Sequence, residues 1–146
     1  MATAVSTVKL SPHFTLHELT ASQTATRKNI AEQFDPPQEI IENLKYLAKN
    51  LLEKLRELNG NNCLIVSSGY RCPRLNKAVG GVSNSQHLKG EAADIDFGSK
   101  SANKQFFTKI KNSDIVFDQL LNEFDYAWVH ISLKREGNRR QVLNIT

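Results

Sequence analysis

Two stretches of the chain place histidine and aspartate where they could hold a metal ion. In Ser85-Gln86-His87-Leu88-Lys89-Gly90-Glu91-Ala92-Ala93-Asp94, His87 stands in a loop and Asp94 in an apparent strand seven positions later. Within that strand Ala93, Ile95 and Phe97 share one face, so Asp94 and Asp96 point to the other. The later strand Trp128-Val129-His130-Ile131-Ser132-Leu133 repeats the pattern. Val129, Ile131 and Leu133 form a core face and leave Trp128, His130 and Ser132 on the open one, where Trp128 would wall a cleft. Two imidazoles and one carboxylate make the three-ligand set of a catalytic zinc site, with a fourth position left for water. Such a metal polarises a carbonyl and activates water. Spacing alone also admits a plainer account, in which His87 is a surface loop residue and His130 a hydrogen-bonded core histidine. Asp96 could orient a ligand histidine or could be a solvated strand-end carboxylate. His13 and His17 stand four apart, but Pro12 and the lack of a nearby acidic partner in sequence argue against a second site there.

The elements that must position these groups are legible from periodicity. A helix is expected from Asp35-Pro36-Pro37, with Asp35 as N-cap and proline in the first turn. Ile40, Leu44, Leu47, Leu51, Leu55 and Leu58 recur at spacings of three and four, and Asn59-Gly60 supplies a stop. Before it, Phe14 to Leu19 reads as a short helical turn that docks on this scaffold. After it, strands are expected at Cys63 to Tyr70, Glu91 to Phe97, Ile115 to Leu121, Ala127 to Leu133 and Gln141 to Ile145. A helix near Ser101 to Lys111 separates the second and third, and Pro73 to Lys89 reads as ordered loop. Helices come first and strands later, so the class expected is α+β with N-terminal helices packed on a mainly antiparallel sheet. Residues 1–11 are expected to be a tail ahead of a single domain spanning 12–146.

Composition narrows the function classes. The chain has 146 residues, 40% hydrophobic and 23% charged, enough for one ordinary globular core. No run approaches the roughly 18 apolar residues of a membrane helix. Met1 to Leu10 lacks the charged and apolar regions of a signal peptide. Cytoplasmic synthesis is therefore expected, with release by another agent if the substrate lies outside. The net charge of +4 is mild and scattered. Only Lys134, Arg135, Arg139 and Arg140 cluster, as a solvated surface, so no nucleic-acid partner is expected. Cys63 and Cys72 flank a strand about 30 Å long if extended, beyond the ~7 Å reach of a disulfide. They read as free thiols, and two cysteines are too few for a cysteine zinc site.

Taken together, Ser67-Ser68-Gly69-Tyr70-Arg71, Ser85-x-His87-x2-Gly90-x-Ala92-x-Asp94 and Trp128-x-His130 resemble the zinc D-alanyl-D-alanine peptidase family. That family includes vancomycin-resistance dipeptidases, D-Ala-D-Ala carboxypeptidases and several phage endolysins. Phe14-Thr15-Leu16-x-Glu18-Leu19 and the Pro36-Pro37 helix are similar to its small carboxypeptidase branch in phages and their hosts. The resemblance runs from about residue 12 to residue 143. It implies one zinc ion on His87, Asp94 and His130, Arg71 pairing with a substrate carboxylate, and Ser85 bonding the substrate backbone or carboxylate. It also implies a hedgehog-type peptidase fold and a peptidoglycan peptide as substrate; apart from the resemblance, no membrane partner and a monomeric chain are expected.

The general base departs from the family pattern. Many members carry Glu or Asp three residues before the last histidine, where this chain has Ala127. Glu123 and Asp125 are the substitutes. A hairpin loop of two or four residues centred on Asp125-Tyr126 pairs position 123 with position 128, which puts Glu123 on the face of Trp128 and His130. Diagonal neighbours there lie roughly 7–8 Å apart, suited to a base acting through water. A three-residue loop would flip that parity. Hedgehog signalling domains resemble this region too, with an acidic residue a similar distance ahead of their last zinc histidine. The expected activity is zinc-dependent hydrolysis of stem peptides as a D-Ala-D-Ala-type carboxypeptidase. A cell-wall endopeptidase, or a zinc-containing wall-binding module without catalysis, is the alternative.

Overall fold

The computed structural model describes residues 8–145. Its longest element follows from the apolar stripe. Gln38–Leu47 (α3) and Glu53–Leu58 (α4) run on without a break through a π-helical turn, Ala48–Leu52. Leu44, Leu47, Leu51 and Leu55 are buried, and Ile40 and Leu58 pack against the same core. Steps of four residues overshoot an α-turn by about 40° each. The wider π turn takes up that excess, so Leu51 and the adjacent Leu52 both face inward. The start lies later than Asp35. A residue before proline is kept out of the helical region, so Pro36 cannot open a helix ahead of Pro37. Pro37, extended at ψ 155°, is the N-cap instead. Asn59 closes the helix and Gly60 follows at φ +66°, as the stop signal requires.

The N-terminal elements sit against this scaffold. Lys9–Ser11 (β1) pairs with Phe14–Thr15 (β2), burying Leu10 and Phe14. The helical turn expected from Phe14 begins two residues later, at Leu16–Thr20 (α1). Thr15 caps it in a reciprocal box with Glu18, and that cap needs an extended Thr15. Gln23–Arg27 (α2) and a 3-10 turn at Ala31–Phe34 follow. Of the segment expected as a tail, residues 1–7 lie outside the described residues.

All five expected strands are present, mostly shorter: Ile65–Ser68 (β3), Ala92–Asp96 (β4), Gln119–Glu123 (β5), Trp128–Ser132 (β6) and Gln141–Ile145 (β7). They form one sheet in the order β3-β4-β6-β5-β7, antiparallel except for the parallel β5–β7 pair. Lys100–Lys111 (α6) lies between β4 and β5, and one more helix precedes β4. That preceding helix, Pro73–Ala78 (α5), corrects the loop expected from Pro73 to Lys89, which also holds a 3-10 turn at Gln86–Lys89. Pro73 opens α5 at its first position, where a missing N–H costs nothing, and Leu75 buries. The run Ile115 to Asp118 is not ladder. Its Ile115 carbonyl accepts instead from the Arg140 guanidinium at 3.1 Å. One core joins the helical stripe to Ala93, Ile95, Leu120, Val129 and Ile131 of the sheet, so the α+β class with helices on a mainly antiparallel sheet holds.

Candidate metal centre and cleft

On the face opposite that core, strand pairing assembles the polar residues. Asp94 of β4 is the direct cross-strand partner of His130 on β6, and Ser68 of β3 pairs with Asp94 from the other side. His87 comes from the 3-10 turn after Ser85, whose hydroxyl accepts from the His87 N–H at 3.2 Å and caps that turn. Gly69 lets the connection after β3 approach α1: a Cβ there would collide with the Leu19 carbonyl, which accepts from Tyr70 N–H at 2.7 Å. The loop leaves at Gly90, whose φ of +71° suits glycine.

His87, Asp94 and His130 each offer a ligand atom, all within 4.8 Å of one another, and all three side chains are buried. Both imidazoles converge on one oxygen of the carboxylate. His87 Nδ1 lies 2.7 Å from the Gly69 carbonyl, which can only accept, so Nδ1 carries a proton. Nε2 faces Asp94 Oδ1 at 3.3 Å, and His130 Nδ1 lies 3.0 Å from the same oxygen. Burial raises the pKa of Asp94, but hydrogen bonds from His130 and His87 outweigh it and hold the carboxyl well below its usual range. The carboxylate is thus ionised and ready to bind. Two imidazoles and a carboxylate, with Gly69 orienting one ring from behind, suit zinc as the cofactor.

The remaining residues singled out from the sequence surround this cluster. Arg71, Ser85, Glu123 and Trp128 line the same cleft of about 880 Å³ as the three potential ligands. Arg71 donates to Ser85 Oγ at 3.2 Å, while its buried Nε has no partner among the described residues. Burial lowers the guanidinium pKa, and the charges of Asp94 and Glu123 oppose that. The β5–β6 loop is Phe124 to Ala127, four residues, and Glu123 pairs directly with Trp128. Glu123 Oε2 accepts from the Trp128 indole at 2.9 Å and lies 3.9 Å from His130 Nδ1. Asp125, the other acidic residue considered, points away: it is largely exposed and 3.9 Å from Lys100. Asp96 accepts from Gly98 N–H at 2.9 Å and from Asn103, which ties the end of β4 to α6 rather than to a histidine. His13 has an acidic partner after all, Glu53 at 2.7 Å, contributed by α4, while His17 stands apart on α1. Cys63 and Cys72 are free thiols.

Three buried polar residues escaped the sequence, and one of them, Asp118, itself lines the cleft. Gln33 donates from Nε2 to the Thr20 and Tyr70 carbonyls, and its Oε1 accepts from Cys72 N–H, each at 2.8 Å. Asn103 on α6 donates to the Tyr126 and Ala127 carbonyls, at 2.9 and 3.2 Å, and holds the β5–β6 turn. Asp118 accepts from Gln86, beside His87, and from Arg139, and Lys134 lies within 3.8 Å of it. Its pKa falls to about 2, chiefly through the Arg139 hydrogen bond. The basic cluster is therefore partly structural rather than only solvated. Asn103 shares the inward face of α6 with Phe107 and Ile110, at spacings of four and three, a signal the periodicity did contain. Asp118 and Gln33 lie outside any periodic frame and left none.

Among the described residues no helix is long and apolar enough to cross a membrane. A curated protein, the zinc D-Ala-D-Ala carboxypeptidase of Streptomyces albus G, is 41% identical to this chain over 49 residues. Those residues are 34% of this chain and 19% of that relative, so the match spans only a small part of the relative's length. The peptidase M15 family model matches residues 12–132, from the start of β2's turn to the end of β6 and across every side chain of the cleft named above. On that match, the chain belongs to the peptidase M15 family.

Proposed function

We propose that this protein hydrolyses stem peptides of bacterial peptidoglycan, as a zinc-dependent carboxypeptidase of the D-Ala-D-Ala type. The observation that supports it is the convergence on one cleft of a His–Asp–His cluster, a guanidinium with an unused donor and a carboxylate held by an indole. His87, Asp94 and His130 would hold the ion, through His87 Nε2, Asp94 Oδ1 and His130 Nδ1. Zinc there supplies Lewis-acid polarisation of the scissile carbonyl and an activated water. Arg71 binds the terminal carboxylate through the donors that Ser85 leaves free, and this sets the bond to be cut. The Trp128 indole occupies Glu123 Oε2 and leaves Oε1 to take the proton of the attacking water and return it to the leaving amine. Trp128 covers that side of the cleft.

One feature favours an endopeptidase as the second reading. The cleft continues past Arg71 into a hollow of about 640 Å³, bordered by Ser22, Thr24, Ser67 and Ser68, and Arg71, Asp94 and Trp128 border both. A chain running on beyond the cut bond has room there. Mass spectrometry of digested peptidoglycan separates the two. A carboxypeptidase releases free D-alanine from muropeptides, whereas an endopeptidase liberates new internal amines and clears wall suspensions. Neither product from zinc-loaded protein would remove the peptidase assignment.

A further inference from the structure

Arg71 stands on a short connection between β3 and α5, not within a regular element. A guanidinium about 6 Å from its Cα moves by roughly 1–2 Å when the backbone turns by 10–20°, beyond the roughly 0.5 Å tolerance of a working site. Two carboxylates, Asp94 and Glu123, are close enough to attract it electrostatically. Something must hold the backbone so that Arg71 faces substrate instead of collapsing on them. Its own N–H donates to the His87 carbonyl at 3.1 Å. Of the two neighbouring peptide groups, the Tyr70 carbonyl and the Cys72 N–H both end on one side chain, the amide of Gln33. Gln33 is fully buried, and its third bond, to the Thr20 carbonyl, fixes it to the end of α1.

We propose that Gln33 is the positioning residue for Arg71: its amide clamps the peptide groups on either side and thereby sets the selectivity for a free terminal carboxylate. It touches no substrate. The inference rests on the carboxylate-binding role given to Arg71 above. Only glutamine or asparagine presents both donor and acceptor in this planar form, and the reach across Arg71 to Thr20 suits the longer of the two.

The test compares a diacyl-L-lysyl-D-alanyl-D-alanine peptide with the same peptide amidated at its C-terminus, both with zinc-loaded protein. Wild type should prefer the carboxylate form. Gln33→Met and Gln33→Glu should raise KM for the carboxylate peptide about tenfold or more. Turnover of the amidated peptide and zinc content should change less than about twofold. Equal losses on both peptides, or no loss on either, would overturn the role of Gln33 alone. A wild type that cleaves both peptides equally well would instead remove the Arg71 anchor, and one that cleaves neither would remove the peptidase reading beneath it. Should both variants fail to fold, amide exchange in wild type decides. The Cys72 N–H should exchange more slowly when the carboxylate peptide is added and not when the amidated one is, and no difference would overturn the proposal.

Discussion

The potential metal ligands and the potential base are held in different ways. His130 and Asp94 sit mid-sheet on paired strands, His87 is braced by a backbone carbonyl, and the three are at most 8% exposed. Glu123 sits at the last rung of β5, next to a turn in which Phe124, Asp125 and Tyr126 all take positive φ. Backbone ladders hold the first region. The turn of the second is held by side chains, namely Asn103 from α6, Asn122 on the Tyr126 N–H, and the Trp128 indole, beside two backbone bonds, Phe124 N–H to the Ile145 carbonyl and Ala127 N–H to the Glu123 carbonyl. Metal geometry is thus tied to the middle of the sheet, while the base stands at the end of its ladder beside a turn braced largely by side chains.

That contrast can be broken at the base first. Glu123→Ala should reduce kcat by about 10²–10⁴-fold while zinc content stays at the wild-type value. A variant that loses both would show the two regions to be one cooperative unit. The next effect belongs to the turn's support. Asn103→Ala leaves two turn carbonyls and the Phe97 N–H without their partner, and should cost about 2–4 kcal/mol in urea unfolding. Its loss of turnover should exceed its loss of zinc.

Acid should act on the metal side. Asp118 clasps the turn bearing His87 to the approach of β7, and its folded pKa of about 2 lies below the ordinary 3.8. A depressed carboxylate stabilises the fold fully above its unfolded pKa, and that contribution is lost as pH falls through the folded value. Wild type should therefore exceed Asp118→Asn by roughly 2 kcal/mol near neutral pH. The gap should close between about pH 4 and pH 2 in paired urea titrations. The smallest effect is expected at the turn itself. Asp125 is exposed at φ +57°, so Asp125→Gly should relieve backbone strain and change the unfolding free energy in urea by no more than about 1 kcal/mol. A large drop in activity from that change would point to Asp125 rather than Glu123 as the base.

The difference between the regions also explains what could be read in advance. Alternation along Ala92 to Asp96 and Trp128 to Ser132 is a period-2 signal with one apolar face, and it assigned Asp94 and His130 to the open side because that parity survives small errors in strand ends. Glu123 was reachable by the same parity once the loop length was restricted to even values. The parallel β5–β7 pair was not legible, since strand order depends on how a connection crosses the sheet and not on the strands themselves. Helix α5 was hidden among Gly, Asn and Ser, although Pro73 marked its first position. Gln33 was hidden more deeply. Its three partners are backbone groups from α1 and the Arg71 connection, so its importance arises only when those segments meet.

The central claim is that His87, Asp94 and His130 are the zinc ligands and Glu123 is not. Zinc per chain, measured by elemental analysis after exhaustive dialysis, tests it most directly in wild type, Asp94→Ala, His130→Ala and Glu123→Ala. One zinc is expected in wild type and in Glu123→Ala, and a near-complete loss in the other two. Equal zinc in all four proteins, or zinc lost with Glu123, would contradict it.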